Sequence, residues 1–339
     1  MAEALQDHAV SECDVLIVGG GAAGCTLGYL LHNAGLDVLI AELRDADSKE
    51  KLCAGLLDPF ACSEIETIYG QSALDELSVL SIPTMRSVCQ GVALERPSDF
   101  RALPRKELDD WLLRRFLESG GRMADRLQLI AIDKVAQRAQ FRDLRNGTVV
   151  QVAYHTLVGA DGVTSAVRRI LTGRRQRICP ALEGVVPMTE NAFVMSLAPG
   201  KIGYCWYIPR GADATVGCMY HGASALGCRE LLASFCAEMG IEMPSLRGAP
   251  IPEGDDIMLR AAEHAWLIGD AAGLILPFYG GGIQYALHSA RMLAESLTGG
   301  VPYEQSMSRI LREISMGSQG LVLGYFFSCL MITKSKDQA

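Results

Sequence analysis

Asp14-Val15-Leu16-Ile17-Val18 is a short apolar run that breaks into Gly19-Gly20-Gly21-Ala22-Ala23-Gly24, after which Leu27, Leu30, Leu31 and Ala34 follow helical spacing. Gly35 stops that helix, Asp37-Val38-Leu39-Ile40-Ala41 predicts a second strand, and Glu42 stands at its end. Strand, glycine turn, helix, strand and acid thus arrive within about thirty residues, the order of a βαβ dinucleotide-binding unit. In such a unit Gly19 allows the tight turn, Gly21 lets backbone approach a pyrophosphate, and Gly24 lets helix and strand pack closely. Helix N–H groups then face the phosphates, and Glu42 accepts hydrogen bonds from a ribose.

Further along, Met85 to Leu94 predicts a strand, and Pro104 to Ser119 a helix with Leu108, Trp111, Leu112, Arg115 and Phe116 at helical spacing. Leu127 to Ile132, Gln140 to Leu144 and Val149 to Ala153 read as a three-stranded meander, its second turn carrying Asn146-Gly147, a strong hairpin signal. Thr156 to Gly159 returns to a parallel sheet and ends in Ala160-Asp161-Gly162, with a helix from Thr164 to Leu171. The stretch from Ile178 to Leu259 is β-rich, with aromatics and prolines, and reads as an antiparallel insertion. Ala265 to Ile268 is again a buried strand ending in Gly269-Asp270-Ala271-Ala272-Gly273. Gly280-Gly281-Gly282 then opens a helix with Ile283, Ala286, Leu287, Ala290, Leu293, Ala294 and Leu297 on one face.

The expected architecture is therefore α/β. A Rossmann-like domain with parallel sheet and β-meander takes 1–83, 98–175 and 260–300. An inserted antiparallel-sheet substrate domain takes 84–97 and 176–259, and a C-terminal helical segment takes 301–339. The apolar run from Leu321 to Ile332 reaches only ~18 Å as a helix, short of the ~30 Å of a bilayer core. It reads as a helix packed on the body or as a membrane-surface element.

Composition narrows the function classes. Thirty-one Lys and Arg against 39 Asp and Glu leave a net charge of −8, with no basic run to track a phosphate backbone, which argues against nucleic-acid binding. Acidic residues near Met1 stand where a signal peptide needs a basic region, so no export signal is expected. Eleven cysteines without a C-x-x-C pair suggest neither a disulfide framework nor a thiolate zinc site, and the six histidines show no ligand spacing, so no metal is expected. His221, near the aromatic stretch of the insertion, is the one histidine singled out. A reducing cytoplasm fits best, with peripheral membrane contact left open.

Three strand ends carry glycine-acid loops: Gly19 to Gly24, Asp161-Gly162 and Gly269-Asp270. In a parallel sheet the carboxyl ends of strands form one crevice where a ligand binds. A ligand touching all three loops is a dinucleotide with a second large head group, and FAD has that length. Its adenosine would lie near Glu42, its pyrophosphate over the first turn and its ribityl chain near Asp270. The helix opening at Gly282 would point its positive end at the flavin N1 and C2 carbonyl.

From roughly Asp14 to Leu297 the chain resembles the FAD-dependent geranylgeranyl reductase family, within the larger fold of p-hydroxybenzoate hydroxylase. The motifs carrying the resemblance are the Gly19–Glu42 fingerprint and Lys51-Leu52-Cys53-Ala54-Gly55-Leu56, similar to the family's cysteine-and-glycine loop beside the flavin. To these add Arg105 in an Arg-x-x-Leu-Asp helix start, Gly159-Ala160-Asp161-Gly162 with Ser165 and Arg168, and Gly269 to Gly273 followed by Pro277 and the turn from Gly280 to Ile283. The residues expected to hold FAD are Gly19, Gly21, Ala23, Gly24, Glu42, Cys53, Ala54, Arg105, Leu129, Asp161, Gly162, Asp270, Gly282 and Ile283. The family's Tyr-x-Trp-x-Phe-Pro stretch and following Gly-x-Gly appear as Tyr204-Cys205-Trp206-Tyr207-Ile208-Pro209 and Gly217-Cys218-Met219. Tyr204, Trp206, Pro209 and Met219 are the expected substrate-pocket residues. Met219 would fill space that a glycine leaves open, shortening or reshaping the pocket.

The resemblance implies reduction of isoprenoid C=C bonds, with hydride from reduced flavin N5 reaching one alkene carbon and a proton the other. Cys53 or a trapped water would supply that proton. Cys53 also reads as a small buried hydrophobe, and Tyr204 and Trp206 as ordinary sheet aromatics. No second dinucleotide fingerprint appears, so electrons would come from NAD(P)H at a transient surface site or from an electron-carrier protein such as ferredoxin. Two other readings keep the flavin: a monooxygenase or oxidase of a small biosynthetic intermediate, and a redox sensor without turnover. The expected ligand is accordingly a prenyl lipid or another small molecule.

Overall fold

The computed structural model describes residues 11–47, 51–198, 202–277 and 280–315. Strand β1 (Ser11–Val18) leads through the glycine turn into α1 (Ala22–Asn33) and β2 (Val38–Ala41). The two-residue β3 (Leu56–Leu57) precedes α2 (Pro59–Tyr69), the long hairpin β4 (Leu80–Cys89) and β5 (Val92–Ala102), and α3 (Arg105–Glu118). Then come β6 (Arg122–Ala124), β7 (Leu127–Asp133), β8 (Arg138–Asp143), β9 (Val149–Gly159) and α4 (Ala166–Thr172). The insertion supplies β10 (Ile178–Pro187), β11 (Ala192–Leu197), β12 (Gly203–Pro209), β13 (Asp213–Tyr220), α5 (Ala225–Glu238) and β14 (Arg247–Pro252). The chain returns through β15 (Arg260–Ala262), β16 (Ala265–Leu267), α6 (Gly269–Ala272), α7 (Ile283–Leu297) and α8 (Tyr303–Ser306), with residues 308–315 again helical.

The first sheet has the order β15-β16-β9-β1-β2-β6, with β7 and β8 joined to β9 as the meander. Pairing of β1 with β2 and β9, of β2 with β6 and of β9 with β16 is parallel. The carboxyl ends of β1, β9 and β16 therefore lie side by side, which brings the three glycine-acid loops to one edge. Leu16, Ile17, Leu157 and Val158 are fully buried, as strands covered on both faces require.

The second sheet has the order β14-β10-β13-β12-β11-β4-β5-β3. It is not wholly antiparallel as expected: β11 pairs with β4 in parallel, Val194 opposite Arg86, because β4 comes from an earlier, separate segment and is not joined to β11 by a hairpin. Its hairpin reaches from Leu80 to Ala102, beyond the expected 84–97. Alternation divides the sheet into two faces. Cys205, Tyr207, Val216, Cys218 and Tyr220 face α5, which buries Cys228, Leu232, Phe235 and Cys236 against them. Burial of Leu232 and Phe235 contributes roughly 1.5–3 kcal/mol each. The opposite face carries Tyr204, Trp206, Ile208 and Met219, packed with Ala54 and Leu56 from beside α2.

Three local differences from expectation have physical reasons. The expected strands 149–153 and 156–159 are one strand, β9, because its first half pairs with β8 and it continues beside β1 from Val152 to Gly159. Helix α2 was not expected, although Asp58 caps it by accepting from Ala61 N at 2.7 Å and Pro59 opens it. Helix α5 falls inside the stretch expected to be β-rich; Ser224 caps it, and its buried face is half cysteine. No described helix is long and apolar enough to cross a membrane. The run from Leu321 to Ile332 lies outside the described residues.

Candidate functional site

At the first loop Gly19 has φ +105°, and a Cβ there would sit 2.4 Å from the Ala160 carbonyl oxygen. A Cβ at Gly24 would stand 1.9 Å from the Gly19 carbonyl oxygen, so α1 rests directly on the turn's backbone. At Gly21, by contrast, a Cβ would meet nothing within 4 Å. The open side of the turn coincides with the N-terminus of α1, which has no side-chain cap and no acidic residue in its first turn. Ala23 lies in that turn. Positive helix potential without a resident anion is what a pyrophosphate requires.

Glu42 is buried at the end of β2. Its carboxylate accepts from Gly20 N at 2.7 Å and from Arg44 N at 2.9 Å, which aims it along the rim of the glycine turn. The Glu42 carbonyl accepts from Leu127 N, so β7 and the buried Leu129 begin beside it.

The second loop uses its acid differently from the expectation. Asp161 accepts from Ser165 Oγ at 2.5 Å and from the Ala166 and Val167 amides at 2.6 and 3.1 Å. Its carboxylate is thus committed to the start of α4. Burial pushes its pKa up, with the Ser165 hydroxyl and the helix amides opposing. Gly162 beside it leaves open space. Ser165 also caps α4 by accepting from Arg168 N, and the buried Arg168 holds Asp256 at 2.7 Å.

At the third loop Asp270 receives Lys51 Nζ at 2.7 Å, an ion pair spanning the crevice from the Cys53 loop to the third glycine turn. A Cβ on Gly282 would lie 3.0 Å from Asp270 Oδ1. Helix α7, with Ile283 as its first residue, starts beside this carboxylate with no side-chain cap and no acid in its first turn. Sequence reasoning missed Gln176, whose amide donates to Val163 O at 2.6 Å and to Asp270 O at 2.7 Å and so ties the second loop to the third. A single glutamine carries no pattern that announces this.

The Cys53 loop is fixed from below. Gly55 has φ +73°, and a Cβ there would be 1.8 Å from the Leu103 carbonyl oxygen, while β3 pairs with the end of β5. The buried Arg105 donates to Asp109 at 2.9 and 3.0 Å. Burial works against its charge, but Asp109 and Cys53 more than compensate and raise its pKa. Behind the loop, the buried Glu64 of α2 meets His288 Nδ1 at 3.0 Å and Arg291 at 2.7 and 2.9 Å. These bonds clamp α2 to α7, a contact invisible without the tertiary pairing.

On the second sheet Tyr204 and Trp206 lie on the face toward the Cys53 loop, ring centroids 5.7 Å apart. Met219 stands opposite Tyr204, and the Trp206 indole lies across Gly217, where a Cβ would come 2.3 Å from Cζ2. Pro209 does not join them. Strand alternation puts it opposite Ala214, on the face covered by α5, so its expected place in the pocket is corrected.

A sequence profile of the FAD binding domain matches residues 12–219. The chain belongs to this FAD-binding family. It is similar to the menaquinone reductase of Mycolicibacterium smegmatis, at 27% identity over 89% of this chain and 81% of that protein. It is also similar to digeranylgeranylglycerophospholipid reductase 2 of Methanothermobacter thermautotrophicus, at 29% identity over 83% of this chain and 77% of that protein. Among solved structures, a geranylgeranyl bacteriochlorophyll reductase-like protein from Thermoplasma acidophilum superposes with a TM-score of 0.75 at 20% identity, over 91% of this chain and 83% of that one. The expected fold and the expected cofactor, FAD, are both met. The residues present fit that cofactor: the open cradle at Gly21, two uncapped helix starts and a buried acid beside the first of them suit an anionic dinucleotide.

Proposed function

We propose that this FAD-dependent oxidoreductase reduces C=C bonds of an isoprenoid chain. The observation that carries the reading is the juxtaposition of the Cys53–Arg105 loop with the apolar face bearing Tyr204, Trp206 and Met219, at the edge where the three glycine loops meet. The relatives named as prenyl-lipid and menaquinone reductases support it.

In this reading Gly19, Gly21, Ala23 and Gly24 cradle the pyrophosphate, and Glu42 with Leu129 bounds the adenosine. Gly162, Asp270, Gly282 and Ile283 line the other end, with Cys53, Ala54 and Arg105 beneath. Asp161 acts one step back, by capping α4. Bound FAD supplies the two electrons that reach one alkene carbon. The chain's own residues do the rest. Tyr204 and Trp206 orient the isoprenoid against the sheet, their apolar face excludes water, and Cys53 gives a proton to the second carbon. An isolated alkene accepts electrons poorly, so protonation accompanies transfer.

The test is mass spectrometry of a geranylgeranyl lipid incubated with chemically reduced holoprotein, once without oxygen and once in air. A gain of two hydrogens without oxygen supports the reading. Gain of an oxygen atom only in air replaces it with a monooxygenase, and an unchanged lipid in both overturns it.

A further inference from the structure

We propose that Lys51 tunes the bound flavin: its ammonium offsets the charge of Asp270 at the flavin end of the crevice and so raises the potential at which the cofactor is reduced. The proposal rests on the reading that Asp270 and the start of α7 face the flavin, and it holds whatever the substrate. Lys51 leads into the Cys53 loop, and its Nζ lies 2.7 Å from Asp270 Oδ2. The other carboxylate oxygen, Oδ1, lies 3.0 Å from where a Cβ on Gly282 would stand. Asp270 therefore sits between an ammonium and the first turn of α7, which has neither a side-chain cap nor an acid of its own. Both sides of the pair are held from behind. Gln176 donates to the Asp270 main-chain carbonyl at 2.7 Å, and the loop that follows Lys51 rests at Gly55 on the Leu103 carbonyl.

The start of a helix carries about half a positive charge. Asp270 alone would leave this end of the crevice about half a charge negative, and Lys51 returns it to about half a charge positive. Bound FAD gains one negative charge when it takes two electrons and one proton, so the sign of the charge at this end decides which form is held more tightly. With the Lys51 side chain 40% and the Asp270 side chain 15% exposed, salt reaches the pair, and the effect of Lys51 shrinks as ionic strength rises.

The experiment measures the midpoint potential of FAD bound to the protein, by stepwise reduction with dithionite against reference dyes. It compares the wild type, Lys51→Arg, Lys51→Met, Asp270→Asn and the double variant Lys51→Met/Asp270→Asn. Lys51→Met is expected to weaken the binding of reduced relative to oxidised FAD about tenfold, which lowers the potential of a two-electron couple by about 30 mV. Lys51→Arg, which keeps the charge, is expected to hold the wild-type value. Asp270→Asn is expected to raise the potential, and the double variant, with the net charge of the wild type, to return close to the wild-type value. A loop that had merely loosened would not be repaired by a second loss. The role of Lys51 is overturned by a wild-type potential in Lys51→Met, or by a double variant as low as that single one; a shift in Asp270→Asn then still upholds the placement of Asp270. No shift in any variant overturns the placement as well. If Lys51→Met retains no FAD, the double variant decides. Recovery of FAD with a near-wild-type potential supports the charge argument, and failure to bind FAD makes Lys51 a structural residue and overturns the proposal.

Discussion

Replacing Glu64 by glutamine removes one charge from the clamp between α2 and α7 while keeping its shape. Burial alone would push this carboxyl up, but hydrogen bonds from Arg291 and His288 and their charges hold it down to about 2, against an ordinary value of 4.5. A folded-state pKa below the unfolded one contributes stability that is complete above the unfolded value and is lost as pH falls through the folded one. The shift from 4.5 to about 2 corresponds to about 3 kcal/mol at neutral pH. For a chain of this size that lowers the thermal midpoint by about 4 °C. Urea unfolding at pH 7 should show Glu64→Gln less stable by that amount. The gap should begin to close below pH 4.5 and have shrunk by about 1.4 kcal/mol at pH 3.5. A variant as stable as wild type at pH 7, or a gap that stays constant to pH 3.5, would refute the linkage. Because α7 begins at the crevice and α2 follows the Cys53 loop, the same variant should also lose FAD more readily on dialysis.

Three other substitutions probe separate parts of the argument. Gly24→Ala puts a methyl 1.9 Å from the Gly19 carbonyl oxygen, two backbone segments that cannot both yield. The purified protein should carry little flavin, read from the ratio of visible to ultraviolet absorbance, and full occupancy would contradict the cradle. Thr215 is buried with its hydroxyl lacking a hydrogen-bond partner among the described residues. Thr215→Val should therefore stabilise the ligand-free protein by about 1 kcal/mol in urea unfolding, and a loss of stability would mean that the hydroxyl is satisfied. Cys53→Ser should lower prenyl reduction by roughly a hundredfold and alter its pH profile while FAD is retained; unchanged turnover and profile would remove Cys53 as the proton source.

Much of the site was legible because its signals are local. The first βαβ unit needs no partner to be recognised: Gly19, Gly21 and Gly24 serve one turn, and Glu42 closes the strand that follows. Tyr204 and Trp206 are two apart on a strand, so their common face follows from alternation, and the same rule could have excluded Pro209. Asp161 is ambiguous in the sequence because an acid after a strand serves equally as a cofactor contact and as a helix cap. Only the position of Ser165 four residues later favoured the cap.

The sequence by itself determined the cofactor class and the existence of two β-rich units. Turn geometry and hydrophobic period are properties of a few consecutive residues and survive without tertiary context. The tertiary structure decided which distant groups meet. Lys51 reaches Asp270, Glu64 reaches His288 and Arg291, Gln176 joins two loops, and Met219 closes on Gly280. Each of these contacts joins residues far apart along the chain. Their partners are chosen by sheet order and helix packing, which arise from burial summed over the whole core and not from any local pattern.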